Sequence, residues 1–304
     1  MSDLKLAAKV VFYLYPIVAL IGLMFNAFAF VIFSSRKRFQ HTVFWIYFRF
    51  LIIFDCLSQF LPVNRFLELA LDISIENISN FLCKFRYYYI YSVYPVSGWT
   101  LAIVSIDRFL SISFPNRFDI RKKCSFQIFV CVLIMLFNFI YFSPVLFYYY
   151  LDEFKDFNNE TNQTFINVRC ENHGIPLNIM DLIGSTLIPF SIMILFTLFT
   201  LISLYKTRKK SLTSHQQKKS RSKDNRFAFV TITISFVFLI VNIPYGIFAN
   251  VESLFVATDL TNLIMSFCLL LIYVNSSLTF FINIVVNSLF RKELKEILIK
   301  KNVC

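Results

Sequence analysis

Asp55 is a carboxylate set in the apolar run from Phe50 to Leu57, with no charge closer along the chain than Arg49. Inside hydrocarbon such a group costs about 2.5–3.5 kcal/mol on insertion scales and must hold a proton or a cation. Asp107 and Arg108 stand side by side near the end of another apolar run, and Arg65 and Arg86 are further cations beside such runs. Their chemistry is binding and the movement of charge, because buried charges demand partners. Bond-making chemistry has no visible counterpart. No nucleophile–base pair is evident, and the 7 cysteines and 3 histidines form neither a CxxC pair nor a metal-ligand spacing. Neither an enzyme nor a resident cofactor is expected.

The elements that must position these residues are membrane helices. Of 304 residues 57% are hydrophobic and 18% aromatic, and the mean hydropathy is +0.64, more apolar than a water-soluble core can absorb. Crossing about 30 Å of hydrocarbon takes about 20 apolar residues. Seven stretches qualify, near 9–34, 43–64, 82–113, 125–149, 177–205, 227–251 and 261–287. The predicted fold is an all-α seven-transmembrane helix bundle filling 1–304 as one domain, followed by a short amphipathic helix over 288–300 where apolar and basic residues alternate.

Charge sets the orientation. A net charge of +12 would suggest nucleic acid on a soluble chain, but here the basic residues occupy alternate loops: Arg36 to Arg38, Arg117 to Lys123, Lys206 to Arg226 and Arg291 to Lys301. By the positive-inside rule these face the cytoplasm, where they would draw anionic lipids at about 1 kcal/mol per charge. Glu68, Asp72, Glu76, Asp152, Glu153, Asp156, Glu160 and Glu171 fall in the opposite loops. The expectation is a multi-pass plasma-membrane protein, amino terminus outside and carboxyl terminus cytoplasmic, with no nucleic-acid partner. Glycosylation sequons at Asn77, Asn159 and Asn162 lie in the loops that charge places outside.

Gly22 and Asn26, Leu51 and Asp55, Cys83, Asp107-Arg108-Phe109, Pro189, Pro244 and Asn275-Ser276-Ser277 follow one another in order along the stretches. The ordered set resembles the rhodopsin-like (class A) G-protein-coupled receptor family across essentially the whole chain. Among its branches the chain is most similar to invertebrate FMRFamide-type neuropeptide receptors, chiefly in the run Asn275 to Asn283 and the following Phe290-Arg291. The resemblance implies a cell-surface receptor that binds an extracellular ligand and activates heterotrimeric G proteins. It also implies a Cys83–Cys170 disulfide, since Cys83 stands 25 residues before Arg108, the family's separation, and Cys170 is the cysteine of an outer loop. In the family the arginine matching Arg108 is held at rest by acids matching Asp107 and Asp224, and is released when the sixth helix swings outward. Lys223 and Arg226 compete for Asp224. Taken alone, Arg108 reads first as an interfacial anchor whose head snorkels to water. Asp55 matches an aspartate that binds allosteric sodium, with Ser97, Asn275 and Ser276 as partners. Its other reading is a protonated acid bonded to Asn26 and Asn275.

Several landmarks depart from the family. Thr279, Phe280 and Asn283 occupy the register of the usual Asn-Pro-x-x-Tyr, and Asn242 stands where a tryptophan precedes the sixth helix's proline. Thr197 replaces a tyrosine, and the fourth stretch lacks its tryptophan, with Trp99 as a neighbour on the third. These changes bear on the activation relay more than on the fold. Counting back from Arg108 turns Arg86, Tyr87, Ile90, Tyr91 and Tyr94 toward one face, a ligand pocket that Arg65 and Asn242 complete. Tyr87 suits the membrane-interface belt as well. With Glu68 and Glu252 as counter-ions, the arginines suit a ligand with an acidic or carbonyl-rich end. Ile90 stands where amine receptors carry aspartate, and 261–283 lacks the lysine an opsin needs, so a peptide is the expected ligand. The alternatives are a chemosensory receptor for a small molecule and a transporter or channel using Asp55 and Arg65. Against transport stand the odd helix count and a single intramembrane acid, Asp55.

Overall fold

The computed structural model describes residues 2–35, 45–114, 120, 123–158, 163–174, 176–209, 215–251 and 259–301. Apolar runs of this length close their backbone hydrogen bonds internally, because hydrocarbon offers no partner. The helices are α1 (Ser2–Ser35), α2 (Trp45–Leu71), α3 (Asn80–Ser113), α4 (Cys124–Tyr141), α5 (Leu177–Asp181, Leu182–Leu187 and Ile188–Lys209), α6 (His215–Val251), α7 (Asp259–Val286) and α8 (Ser288–Lys301). Among the described residues six are long and apolar enough to cross a membrane, and Ile232–Phe248 is the apolar part of α6. The seven-helix bundle read from the sequence is the fold.

Prolines decide where these helices break, since proline cannot donate to the carbonyl four residues back. Pro62 leaves the Ser58 carbonyl without its helical partner, and α2 is interrupted at Gln59, whose N–H turns to the Cys56 carbonyl at 3.2 Å. Pro144 follows α4, which ends at Tyr141 and not near 149 as expected. The single turn Val145–Tyr148 then leads into a hairpin of β1 (Tyr149–Asn158) and antiparallel β2 (Gln163–Asn172), with Leu151 opposite Cys170. The hairpin departs from a purely helical chain; tyrosines such as Tyr149 and Tyr150 suit a strand as readily as a helix end.

Pro189 acts on α5. The Ile188 N–H bonds the Ile183 carbonyl five residues back, so Leu182–Leu187 widen into a π-helical stretch. In that register the Gly184 carbonyl falls opposite Pro189, which has no N–H to give. Trp99 of α3 supplies the missing donor, its Nε1–H bonding the Gly184 carbonyl at 2.9 Å.

The basic run expected as a loop is helical at both ends, with α5 reaching Lys209 and α6 starting at His215, not near 227. Lysine, arginine and glutamine are good helix formers, and polarity alone does not stop a helix. α3 runs through the middle against α2, α4, α5 and α6. Gly22 lets α1 come close to α2 and α7, because a Cβ there would lie 2.6 Å from the Gln59 side chain. Leu20, Met24, Phe129 and Leu198 point outward, as lipid-facing positions do. α8 is docked by Phe290, fully buried between Phe33 and Phe280 at ring-centre distances of 5.4 and 5.6 Å.

Candidate functional site

Ion pairs close the hairpin end of the bundle. Arg86 bonds both Glu68 and Glu76, and Arg65 donates to Glu68 at 2.7 Å. Arg86 and Glu76 are almost wholly buried, a state that charges tolerate only when paired. Beside them opens a cavity of about 810 Å³, counting its mouth. Arg65, Arg86, Ile90, Tyr91, Tyr94 and Asn242 line it, six of the seven residues expected there. Tyr87 is the exception. Its ring stacks on Tyr149 at 4.3 Å and lies under the Arg86 guanidinium at 5.4 Å, so it braces the hairpin. Burial pushes the Tyr149 phenol well above its ordinary range, which keeps it neutral.

The cavity also draws on residues the sequence reading missed: Asn64, Asp181, Ser185, Phe190, Tyr245 and Tyr273. Asp181 lies within the apolar span Ile179–Lys206, so Asp55 is not the single intramembrane acid. The rule that singled out Asp55, a carboxylate in an apolar run, applied equally to Asp181. The arginines, in turn, are not left over for an acidic ligand, because Glu68 and Glu76 already hold them. Glu252 lies outside the described residues.

The hairpin is pinned across this mouth. A Cys83–Cys170 disulfide joins it to α3, with Cα atoms 5.6 Å apart. Asn77 Oδ1 accepts the Cys170 N–H at 3.0 Å, and Asn80 Oδ1 accepts the Leu151 N–H at 2.8 Å. The Asn77 sequon therefore carries a structural bond. Asn159 and Asn162 lie outside the described residues.

From the cavity floor a polar contact reaches α6. The Tyr94 hydroxyl donates to Asn242 Oδ1, and Asn242 Nδ2 donates to the Phe238 carbonyl at 2.6 Å. Phe238 meets Phe190 edge-on at 5.5 Å and presses on Gly98, where a Cβ would lie 3.2 Å from its ring. Asn242, in the turn before Pro244, thus ties α6 to α3 by hydrogen bond.

Deeper, Asp55 is almost fully buried and accepts from Ser97 Oγ at 2.8 Å and from Thr279 Oγ1 at 2.9 Å. Asn275 borders the same small cavity, which has room for about one water-sized particle. Of the expected sodium partners, Ser97 and Asn275 are present, whereas Ser276 does not line the cavity and its backbone carbonyl accepts from Asn26 at 2.7 Å. Thr279 takes that place, and the Asn26–Asp55 bond of the protonated reading does not form. A carboxylate, two hydroxyls and an amide are hard oxygen donors of the kind a small cation accepts. Along α7 the polar ladder continues: Asn283 donates to the Thr279 carbonyl at 2.8 Å, Asn287 to Asn283 at 3.2 Å, and Asn287 Oδ1 accepts the Phe290 N–H.

At the far end Arg108 is 2% exposed and Asp107 6%. Protein encloses the guanidinium, which disfavours a snorkelling anchor. Phe109 packs outward on Phe196 and Phe199 of α5, each 5.6 Å away. Asp224 is on α6, and its side chain is outside those described.

Comparison with known proteins agrees with this architecture. The model of the family described as 7 transmembrane receptor (rhodopsin family) matches residues 25–279. The type-1 angiotensin II receptors of Meleagris gallopavo and Gallus gallus are each 26% identical to the chain over 226 residues, covering 70% of this chain and 60% of theirs. Galanin receptor 2b of Danio rerio is 34% identical over 80 residues, 26% of this chain and 21% of its own length. The chain thus spans about 60% of the length of the angiotensin receptors it matches.

Proposed function

The chain belongs to the rhodopsin family of seven-transmembrane receptors, and on that premise we propose that it is a cell-surface receptor that binds a peptide and activates heterotrimeric G proteins. The hairpin end faces outside and the Arg108 end faces the cytoplasm, as the alternation of basic and acidic loops requires. The observation that carries the reading is the Tyr94–Asn242 bond, which ties the wall of the cavity to α6 just before Pro244. A ligand in the cavity that competes for either group biases α6 toward an outward position. The cleft so opened at Arg108 takes the G protein, and each partner raises the other's affinity by linkage.

The peptide class is what the two likenesses share: the run Asn275 to Asn283 resembles FMRFamide-type receptors, and the curated relatives are named for angiotensin and galanin. Asp55, Ser97, Thr279 and Asn275 would hold an allosteric sodium ion, which stabilises the resting arrangement of α2, α3 and α7. The basic ends of α5, α6 and α8 rest on anionic lipids at the cytoplasmic face.

Nucleotide exchange on G proteins in membranes carrying the chain, screened against a peptide library, tests this. Some peptide should stimulate exchange, Arg108→Ala should remove the response, and Asn242→Leu should uncouple peptide binding from it. Ligand-independent current with no exchange under any peptide sinks the receptor reading in favour of transport.

A further inference from the structure

Asp181 is the charged residue of the cavity that the mechanism above does not use. It precedes the π-helical stretch of α5 and lines the cavity with Tyr91, Tyr94 and Tyr245. Its neighbours hold the backbone firmly, since the Tyr141 hydroxyl donates to the Met180 carbonyl at 3.2 Å and Trp99 to Gly184. Among the described residues no cation pairs with it. The two cations of the cavity are engaged, Arg65 by Glu68 and Arg86 by Glu68 and Glu76. With those partners included, the mouth holds three carboxylates against two guanidiniums.

An anionic ligand group would have to break an ion pair already formed while nearing an uncompensated carboxylate. A cationic group meets Asp181 with no pair to break, and tyrosine ring faces attract it further. We propose that this cavity takes its ligand through a cationic group, an ammonium or a guanidinium, held by Asp181 among the tyrosines. The proposal rests on reading the cavity as a receptor's ligand site, and it reverses the acidic ligand end that Arg65 and Arg86 suggest when read from sequence. Asp181 supplies the charge-assisted bond, and the arginines supply the rigid rim.

The test is binding of four small probes to the purified full-length protein in detergent, followed by thermal stabilisation: benzamidinium, benzylammonium, neutral benzamide and anionic benzoate. At least one cation should bind about tenfold more tightly than benzamide, the margin expected of a hydrogen bond to a charged group. Benzoate should bind weakest. Asp181→Asn should bring the cations level with benzamide, and Asp181→Lys should raise benzoate above them. The ranking on the unaltered protein decides the matter even where a variant fails to fold. Benzoate matching the cations, no cation binding, or cation binding indifferent to Asp181→Asn overturns the proposal. Signalling is not read, so the two readings separate. Cation selectivity without nucleotide exchange removes the receptor alone, and peptide-driven exchange with cation-blind binding removes the proposal alone.

Discussion

At the scale of single residues, polar groups of the bundle pair at positions where the usual landmarks of the family are absent. Thr279 supplies Asp55 with a hydroxyl donor, and Asn242 gives α6 a hydrogen bond to Tyr94. If sodium sits at Asp55, the protein should melt higher in sodium chloride than in choline chloride at equal ionic strength, and Asp55→Asn should erase that difference. An increment that survives the substitution, or none in the wild type, rules the site out. Much of this was legible in the sequence, because an ionised residue in an apolar run is conspicuous whatever the fold. Partner identity was not, since helix rotation decides whether Ser276 or Thr279 meets Asp55, and these two positions lie only about 60° apart around a helix. Asp181 was legible by the same rule and was overlooked; only its lack of a cationic partner among the described residues was hidden, because ion pairing across helices leaves no mark on a linear chain.

At the scale of elements, apolar length fixed the existence of the helices, whereas proline chemistry fixed their irregularities. The hairpin after Pro144 and the π-helical stretch before Pro189 both escaped a reading by length alone. The Trp99–Gly184 bond follows from Pro189, and this gives a test by double-mutant cycle. Trp99→Phe should cost about 1 kcal/mol in the native background. It should cost measurably less beside Pro189→Ala, which restores an N–H that can satisfy the carbonyl from within α5. Equal costs in both backgrounds, measured by thermal unfolding, would mean that the proline does not create the vacancy that Trp99 fills.

At the scale of the whole molecule, the loops and the bundle must agree on which side is outside. In cells, glycosidase should shift the mobility of the native chain, and Asn159→Gln/Asn162→Gln should reduce the shift. Asn77→Gln should leave it in place while lowering stability, because the Asn77 side chain bonds the hairpin at Cys170. A native chain that shows no shift loses this support for the orientation. α7 carries one further implication. It runs 28 residues from Asp259 to Val286 without a proline, a rod of about 42 Å. Phe280, which stacks on Phe25 at 4.8 Å, stands where a helix-bending residue is usual. Without a proline, the carbonyls from Asp259 to Ile282 can each keep a helical N–H partner four residues on, so α7 has no built-in break between the cavity and the α8 dock.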